Sequence, residues 1–421
     1  MTINVLVYPA QGTTSCLHDA LSECVNINLI GASSVNRHGD YIYRNYISGV
    51  PMINDPHFIV EFNKIIDQNK INVILTTHDT IVKYLVDNQD KIHAKVVAAD
   101  KHTTNLCRDK NLFYHEFESE PFVPSQYEKI NQYPVFIKPK EGQGAKGAYL
   151  ISRPEDVPNV NLNEYVITEY LPGEEWTVDC LTDKNGKLRF ISPRSRTRIL
   201  AGISVAGQNE PVDTEIEYIA NTLNNRLSFL GLWWFQIKRD FAGHWKCMEI
   251  STRCSGTNCL TRARGVNLPL LSVYIAMGYD IDVHPNDYSV KMDRAFISRY
   301  KIDYEYDVVY FDFDDTLIVR DKVNLKAIWF LYQCRNEGKK VVLLTKHAKE
   351  IYSSMYKYAI DKQIFDEVIH INPNEKKSHY IKPNKAIFID NAYQERNDVQ
   401  SVCHIPVFDV DGIEVLMDWR V

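Results

Sequence analysis

Asp312 and Asp314 are two carboxylates that follow the short apolar stretch "DVVYF", and together they could carry out chemistry. Alternate residues of a strand share a face, so the two side chains emerge side by side. At a separation of about 4 Å and an effective dielectric constant near roughly 20, they would repel each other by about 4 kcal/mol. A divalent cation would relieve that repulsion, so the pair is a candidate metal-dependent site.

Polar groups also end later apolar segments of this region. "VVLLT" ends in Thr345, the helix start "NEKKSHYI" offers Lys376 and Lys377, and "AIFID" ends in Asp390. Ligands of open parallel sheets bind beyond the carboxyl ends of the strands. We therefore expect these groups to meet Asp312 in one site.

The order DxDxT, strand-end Thr, Lys and acidic segment resembles the haloacid dehalogenase superfamily of phosphatases and phosphotransferases. The resemblance implies that Asp312 takes the phosphoryl group and that Asp314 protonates the leaving oxygen and then activates water. It also implies that Thr345 and Lys377 hold the phosphoryl oxygens, with the preceding lysine as the alternative. The implied Mg²⁺ ligands are Asp312, Asp314 and Asp390.

The spacing of Asp312, Thr345 and Lys377 leaves no room for a cap domain. An uncapped site is open, so we expect either a large substrate or a lid supplied by the rest of the chain. The segment "FIDNAYQER" has Asn391 where a second Asp often stands in the superfamily. Glu395 is the candidate to supply that carboxylate.

A glycine-rich loop lies in the first half of the chain, within "PVFIKPKEGQGAKGAYLI". Lys138 ends the strand before it. Glycines allow backbone amides to approach phosphate oxygens, and lysines add positive charge. No GK[ST] follows, so the segment is not a Walker loop. A second, weaker phosphate-binding candidate is the turn "PAQGTTS" near the amino terminus.

"VITEYLPGEEWTVDCL" and "GLWWFQIKRDFAGHWKCMEISTRCSG" follow the glycine-rich loop. This succession resembles the ATP-grasp ligases over roughly residues 101–280, and more narrowly those encoded with tellurium-resistance gene clusters. The implied nucleotide-binding residues are Lys110 and Lys138 at the phosphates, Gly142, Gly144 and Lys146 in the loop over them, Glu169, Tyr170 and Leu171 at the adenine, and Glu175 at the ribose.

The same resemblance implies that Gln236 and Glu249, on neighbouring strands, are metal ligands. Ser251 stands where the family usually has Asn. A hydroxyl is a poorer neutral ligand than an amide carbonyl, so we expect a weak second metal. Arg253 is implied to stabilise the transferred phosphoryl group.

Arg194, Arg196 and Arg198 occupy alternate positions in "SPRSRTRIL" and would share one face of an extended segment. They are either a solvated basic edge or an anchor for a carboxylate or phosphate, for which arginine forks are well suited. Arg262 is a further candidate for substrate contact.

Strand-like and helix-like segments alternate in both halves of the chain, which predicts an α/β fold with parallel sheets. Single cores stop growing near ~250 to 300 residues, so several domains are expected. We predict a pre-ATP-grasp α/β domain over 1–100, an ATP-grasp domain over 101–285, a linker over 286–305 and a Rossmann-like haloacid dehalogenase-type domain over 306–421.

The formal net charge is -6, and the basic residues are spread along the chain, which argues against nucleic-acid binding. The amino terminus has no signal-peptide pattern, and no apolar run approaches the ~20 residues that cross a bilayer. The nine cysteines form no CxxC motif, which is typical of free thiols in a reducing compartment. We expect a cytoplasmic protein without membrane partners.

These observations predict a bifunctional biosynthetic enzyme. The first part would join a small-molecule carboxylate to an amine with ATP and Mg²⁺, through an acyl phosphate, and the last domain would hydrolyse a phosphate ester. A homodimer is the oligomeric state considered. Two alternatives stay open: a nucleotide sensor whose weak ATP-grasp half gates the phosphatase, and a carboxyl-terminal phosphoryl or acyl transferase.

Overall fold

Alternating strands and helices build the amino-terminal region into a parallel sheet in the computed structural model, which describes residues 2–11, 15–35, 38–142, 144, 146–200, 202–295 and 297–420. The strand order is β3-β2-β1-β4-β5. The strands are β1 (Ile3–Val7), β2 (Ile27–Ala32), β3 (Asn45–Ile47), β4 (Val73–Leu75) and β5 (Lys95–Val96), and the helices are α1 (Ser15–Leu21), α2 (Phe58–Gln68) and α3 (Asp79–Asp87).

Both faces of this sheet are covered, as the near-continuous apolar strands predict. Val5 and Val7 pack into one core, and Leu6 between them packs into another on the opposite face. The sheet therefore places its carboxyl-edge loops, including the start of α3, in a fixed position.

A small antiparallel sheet, ordered β7-β6-β8, carries the glycine-rich loop. Helices α4 (Lys101–Arg108) and α5 (Lys110–Glu116) precede the strands β6 (Val135–Pro139), β7 (Tyr149–Ile151) and β8 (Tyr165–Glu169). The Asp109 side chain accepts hydrogen bonds from the backbone N–H groups of Asn111 and Leu112, which caps α5. Lys110 is thereby held at the first position of that helix.

Two further antiparallel sheets follow, ordered β10-β9-β13-β14 and β11-β12-β15. Their elements are β9 (Glu175–Thr182), β10 (Leu188–Ser195), β11 (Arg198–Leu200), β12 (Ile203–Gln208), α6 (Thr214–Arg226), β13 (Gly231–Arg239), β14 (Trp245–Ser251), α7 (Cys259–Ala263), α8 (Leu268–Ala276) and β15 (Lys291–Asp293). β15 lies within the predicted linker but pairs with β12, so part of that segment is ordered with the first half of the chain.

The four-stranded sheet buries one face against α6. Val178 and Cys180 of β9 and Trp233 and Phe235 of β13 contribute to that core. Because strand side chains alternate, Gln236 points to the other face.

The chain divides into two compact units, residues 1–296 and 297–420. The second unit contains β16 (Val308–Phe311), β17 (Ile318–Val319), β18 (Lys322–Val323), α9 (Leu325–Asn336), β19 (Lys340–Thr345), α10 (Ile351–Lys357), β20 (Glu367–His370), β21 (Ala386–Ile389), α11 (Tyr393–Cys403), β22 (Val407–Phe408) and α12 (Ile413–Leu416). Short 3-10 helices cover His38–Tyr41, Gln89–Lys91, Pro154–Asp156 and Leu162–Glu164 in the first unit, and Lys362–Ile364, Lys377–Tyr380 and Val410–Gly412 in the second.

Five strands of the second unit form a parallel sheet ordered β20-β19-β16-β21-β22, and β17 and β18 form a separate hairpin. β16 is central, with β19 and β21 on its two sides. Asp312, Thr345 and Asp390 therefore follow or end three adjacent strands at one edge of the sheet. Among the residues that the structure describes, no helix is long and apolar enough to span a membrane.

Candidate functional sites

Lys377 joins two aspartates at the carboxyl edge of the second unit's sheet. Its Nζ lies 2.6 Å from Asp312 Oδ1 and 2.6 Å from Asp390 Oδ2, and all three residues are buried. Burial raises the pKa of Asp312 to about 6, with Lys377 opposing the shift and Asp390 adding to it. We call these three residues the Asp312 cluster.

The preceding lysine, Lys376, is exposed and its Nζ lies 2.7 Å from Asp398. The geometry therefore favours Lys377 as the phosphate-binding lysine.

Asp314 does not join the Asp312 cluster. Both of its carboxylate oxygens lie 2.9 Å from Nδ1 of His347, and Nε2 of His347 lies 2.7 Å from the hydroxyl of Ser354. Thr345 is fully buried and its hydroxyl accepts a hydrogen bond from the His347 backbone N–H. The sequence reasoning missed His347, although its position two residues after a strand-end threonine was an available signal.

Of the three predicted magnesium ligands, Asp312 and Asp390 lie together around Lys377, and Asp314 contacts His347. Among the described residues, no group of three His, Cys, Asp or Glu side chains is placed to hold a metal ion. The reason is that the Lys377 ammonium takes the position between two of the carboxylates, while His347 holds the third.

Glu395 also differs from the expectation, since its carboxylate pairs with Lys346. The loop after β21 is instead ordered by other contacts. The Asp390 side chain accepts a hydrogen bond from the Ala392 N–H at 2.7 Å, and the Thr316 hydroxyl accepts one from the Asn391 N–H at 3.0 Å.

The first unit contains a cleft with a volume of about 220 Å³, which we call the first cleft. It is lined by all nine residues that the ATP-grasp resemblance assigns to the nucleotide, and by Gln236 and Glu249. The small sheet, the four-stranded sheet and the start of α5 all contribute to it. Residues widely separated in sequence thus meet around one space large enough for a small ligand.

Two lysines bring positive charge to the first cleft. Lys138, on β6, donates a hydrogen bond to the Met248 carbonyl at 3.1 Å, and Lys110 Nζ lies 3.9 Å from Glu249 Oε2. Burial, reinforced by Lys110, lowers the pKa of Lys138 to about 8. Two close ammonium groups in a partly dry cleft favour an anionic ligand such as phosphate.

Gln236 and Glu249 are directly opposite each other on β13 and β14. The prediction that they lie on neighbouring strands is confirmed. Both line the first cleft, where Glu249 is half-buried. Magnesium is often held by one or two carboxylates together with phosphate oxygens and water, so this pair fits one ion that is shared with a nucleotide.

A family model described as "ATP-grasp in the biosynthetic pathway with Ter operon" matches residues 161–295. The biotin carboxylase domain of 2-oxoglutarate carboxylase from Hydrogenobacter thermophilus is similar in structure, with a TM-score of 0.55, 15% identity, and coverage of 68% of this chain and 72% of that one. N5-carboxyaminoimidazole synthetase from Staphylococcus aureus, solved with ADP, has a TM-score of 0.55 and 14% identity, with coverage of 68% of this chain and 80% of that one.

An L-amino acid ligase from Bacillus licheniformis has a TM-score of 0.51 and 11% identity, with coverage of 66% of this chain and 74% of that one. No curated protein matches the chain. The chain has an ATP-grasp fold over much of its length.

The segment of residues 169–175, which we call the hinge, is held in place by close packing. A Cβ on Gly173 would lie 2.6 Å from Cβ of Arg239, so only glycine allows this approach. The Glu169 carboxylate accepts a hydrogen bond from the Ser125 N–H at 2.8 Å, and Leu171 is buried. The Glu169 side chain therefore orders the hinge, together with its backbone N–H, which donates to the Ser125 carbonyl at 2.9 Å.

Glu175, predicted to bind ribose, is surrounded by donors. Arg196 lies 2.6 Å from its carboxylate, Lys238 lies 3.7 Å from it, and the Gln236 amide donates a hydrogen bond to it. Burial lowers the pKa of Arg196. Lys238 was missed from the sequence, although it follows Gln236 at the alternation that places both on one face of β13.

A second cleft shares Gly144, Arg196, Gly202, Gln236 and Glu249 with the first cleft and extends to Trp234, Arg253 and Arg294. A Cβ on Gly202 would lie 2.4 Å from the Gly144 carbonyl oxygen, so the loops that carry these two glycines touch where the clefts meet. The second phosphate-binding candidate, the turn "PAQGTTS", stays a prediction, because residues 12–14 lie outside the described residues.

Arg253 lines the second cleft and pairs with Asp79 at the start of α3, with Nη2 and Oδ2 2.9 Å apart. Burial would lower the pKa of Arg253, but Asp79 outweighs that effect and the pKa is raised. The Ser251 hydroxyl also donates to Asp79, at 2.8 Å. Ser251 is therefore bound beside the first cleft and does not line it.

The expected arginine face is not formed, because β10 ends at Ser195 and β11 begins at Arg198. Arg194 is buried and makes two hydrogen bonds with Asp179, at 2.9 and 3.1 Å. Arg198 is exposed and pairs with Asp293. Of the three arginines, Arg196 alone lines both clefts.

Arg262 is also placed away from the clefts. Its guanidinium donates to the Asp19 carbonyl on α1, and it lines neither the first nor the second cleft. Its contact therefore ties α7 to α1.

Proposed function

We propose that the protein is an ATP-dependent carboxylate–amine ligase joined to a phosphomonoester hydrolase. The observation that carries the ligase half is that the first cleft gathers every residue assigned to the nucleotide from separate parts of the sequence. The γ-phosphoryl group of ATP would pass to a carboxylate, and an amine would then displace phosphate from the acyl phosphate. ADP, phosphate and an amide leave.

Lys110, Lys138 and the glycine-rich loop bind the ATP phosphates in this proposal. Glu249 and Gln236 would hold a Mg²⁺ ion, which when bound neutralises phosphate charge and polarises the transferred group. Lys238 and Arg196 orient Glu175, and the hinge excludes water from the adenine. Arg253, held by Asp79, directs positive charge to the side of Glu249 from which the carboxylate would enter.

The hydrolase half rests on the Asp312 cluster. Asp312 would attack phosphorus and displace the alcohol, which takes a proton from Asp314. Water, deprotonated by Asp314, would then attack the aspartyl phosphate and release phosphate. Lys377 neutralises charge on Asp312 and on the phosphoryl oxygens, and His347 fixes the orientation of Asp314.

A single metabolite would link the two reactions if it carries both the reacting carboxylate and a phosphate. Ligation comes first, and removal of the phosphate completes the product. The family match within the first unit and the ADP-bound structural neighbour support ATP use.

The test is a mass-spectrometric comparison of wild type with Asp312→Asn, each incubated with Mg-ATP and a cell metabolite extract. The expected result is a phosphorylated ligation product that accumulates only in the variant. Glu249→Gln should abolish both ADP formation and the product. If no extract component stimulates ADP formation, the ligase assignment is wrong.

A nucleotide sensor is the second candidate function. It is favoured by Ser251, whose hydroxyl is engaged by Asp79 and which replaces the usual second ligand. A sensor predicts that Mg-ATP changes the rate of phosphate-ester hydrolysis by the same chain without ADP being formed. The metabolite experiment therefore separates the two candidates.

A further inference from the structure

Three buried N–H donors of the second cleft lack a hydrogen-bond partner within the described part of the chain. They are Nε1 of Trp234 and the Nε atoms of Arg196 and Arg253. Trp234 is only 7% exposed. Leaving a buried donor unsatisfied costs about 1–3 kcal/mol, so such groups are normally completed by a bound partner. Three donors at one cleft indicate a ligand rich in acceptor oxygens.

One arginine of the second cleft has no carboxylate partner among the described residues, although Glu249 also lines the cleft. Four of its lining residues are arginines, and three of them have carboxylate partners: Arg194 with Asp179, Arg196 with Glu175, and Arg253 with Asp79. Arg294 pairs with no carboxylate among the described residues. Its Nη2 contacts the Gly256 carbonyl and, at 3.5 Å, the Cys259 sulfur. A guanidinium has five N–H donors, so others remain for a ligand.

Arg294 and the trio of donors have different neighbours in the second cleft. Arg196 also lines the first cleft, and Trp234 and Arg253 line a small pocket together with Glu249. Arg294 and Thr257 line the second cleft and neither the first cleft nor the small pocket. Open space adjoins this end, because a Cβ on Gly256 would meet no atom within 4 Å. The cleft has a volume of about 290 Å³, close to the lower end of the range for small-ligand sites.

We propose that the second cleft binds a small acid with two anionic groups, one at Trp234 and Arg253 beside Glu249 and the other at Arg294. This inference rests on the proposed ligase function, since the first anion would be the carboxylate that receives the phosphoryl group. The second anion is either a carboxylate or a phosphate. A phosphate there would give the same molecule the ester that the second unit is proposed to hydrolyse.

The experiment measures binding, so that it does not depend on turnover. Full-length protein saturated with Mg-ADP is titrated calorimetrically with succinate, with 3-phosphonopropionate and with succinamate. The phosphonate keeps a distal phosphoryl-like anion that the second unit cannot hydrolyse, and succinamate is the neutral counterpart of succinate at that end. At least one of the two dianionic probes should bind wild type about tenfold more tightly than succinamate, because succinamate cannot form the charge-assisted pair with Arg294.

Arg294→Gln should reduce the affinity of the preferred dianionic probe to that of succinamate and leave succinamate unchanged. Trp234→Phe, which keeps the ring and removes the N–H, should weaken all probes several-fold. Arg153→Gln is the matched control, since Arg153 is exposed and pairs only with Glu155 and Asp156. It should bind every probe as wild type does.

Preference for the phosphonate would identify the distal group as phosphoryl, and preference for succinate would identify it as a carboxylate. Equal affinities for all three probes, or dianion binding that survives Arg294→Gln, would overturn the inference. So would the absence of binding by any probe. The affinity for Mg-ADP is measured by a separate titration before the probes are added, and it tests the first cleft. Absence of ADP binding therefore counts against the ligase function itself.

Discussion

The first cleft and the Asp312 cluster handle buried charge in opposite ways. In the first cleft, Lys110 and Lys138 share Glu249 as their nearby carboxylate, and burial lowers the pKa of Lys138 to about 8. In the Asp312 cluster, one ammonium lies between two carboxylates at 2.6 Å, yet burial still raises the pKa of Asp312 to about 6.

The difference teaches what each site lacks. The first cleft has cations beside open space, so it gains most from an anionic ligand that brings its own charge. The Asp312 cluster is already paired internally, so in the proposed reaction its carboxylate would have to leave Lys377 before it could attack a substrate. In the proposal, the first site captures an anion and the second holds a nucleophile.

The strongest test of the Asp312 cluster is Asp312→Asn. Removing a nucleophile should lower phosphate release from p-nitrophenyl phosphate by at least about a thousandfold, since the amide cannot form the aspartyl phosphate. Asp321→Asn, an exposed aspartate of the same unit, is the control. Mg-ADP affinity should not change in either variant. Residual phosphate release near the wild-type rate would mean that another residue is the nucleophile.

Arg194 and Arg198 test whether the arginines near the clefts bind substrate or stabilise the fold. Arg194→Met leaves Asp179 buried and unpaired, so it should reduce the free energy of unfolding by about 3–5 kcal/mol. Arg198→Met breaks an exposed pair and should cost less than about 1 kcal/mol. Chemical denaturation measures both. Equal small effects would remove the structural role assigned to Arg194.

Lys138→Met tests the capture of an anion by the first cleft. The loss of a charge-assisted contact should weaken Mg-ADP binding by about tenfold to a hundredfold, as measured by calorimetry. Lys95→Met, at an exposed position of β5, should bind as wild type. Unchanged affinity in the Lys138 variant would contradict the proposal that the first cleft, unlike the Asp312 cluster, captures an anion.

His347→Gln tests the Asp314 contact in the second unit. Because His347 orients Asp314 and does not touch the phosphoryl group, we expect kcat for phosphate release to fall about tenfold while KM changes little. Ser354→Ala should have a smaller effect in the same direction. The exposed His379→Gln is the matched control. A change confined to KM would instead assign His347 to substrate binding.

The pH dependence of nucleotide binding should report Lys138. Its ammonium is fully charged only below its pKa of about 8, so affinity is highest there and falls as the pH rises through that value. Between about pH 7.5 and about pH 9 the charged fraction falls by about eightfold, which is the upper limit of the loss. Lys138→Arg keeps its charge and should flatten the profile. A steep profile in that variant would assign the titration to another group.

The sequence predicts the sites best where strand geometry does the positioning. Parallel strands bring their carboxyl ends to one edge, so Asp312, Thr345 and Asp390 could be grouped from strand ends alone. Antiparallel pairing brings Gln236 opposite Glu249 for a similar reason. The burial of β1 and β16 could also be predicted, because their apolar runs are more continuous than those of a strand with one face in solvent.

The ion-pair partners of long side chains could not be predicted from strand geometry. The sequence offered Arg194, Arg196 and Arg198 as one group, but their partners are Asp179 and Glu175 on β9 and Asp293 on β15. A break between β10 and β11 sends each arginine in a different direction. Alternation predicts a shared face only while the strand continues.

By itself the sequence determined which residue types stand at strand ends and in the glycine-rich loop, and the resemblance of their succession to the ATP-grasp ligases implied that fold. Local geometry suffices there, since backbone periodicity fixes where neighbouring side chains point. Only the tertiary structure decided that Lys377 lies between two aspartates, that His347 holds Asp314, and that three donors of the second cleft are left unpaired. Those outcomes depend on packing between distant segments, where burial makes each unmade contact count.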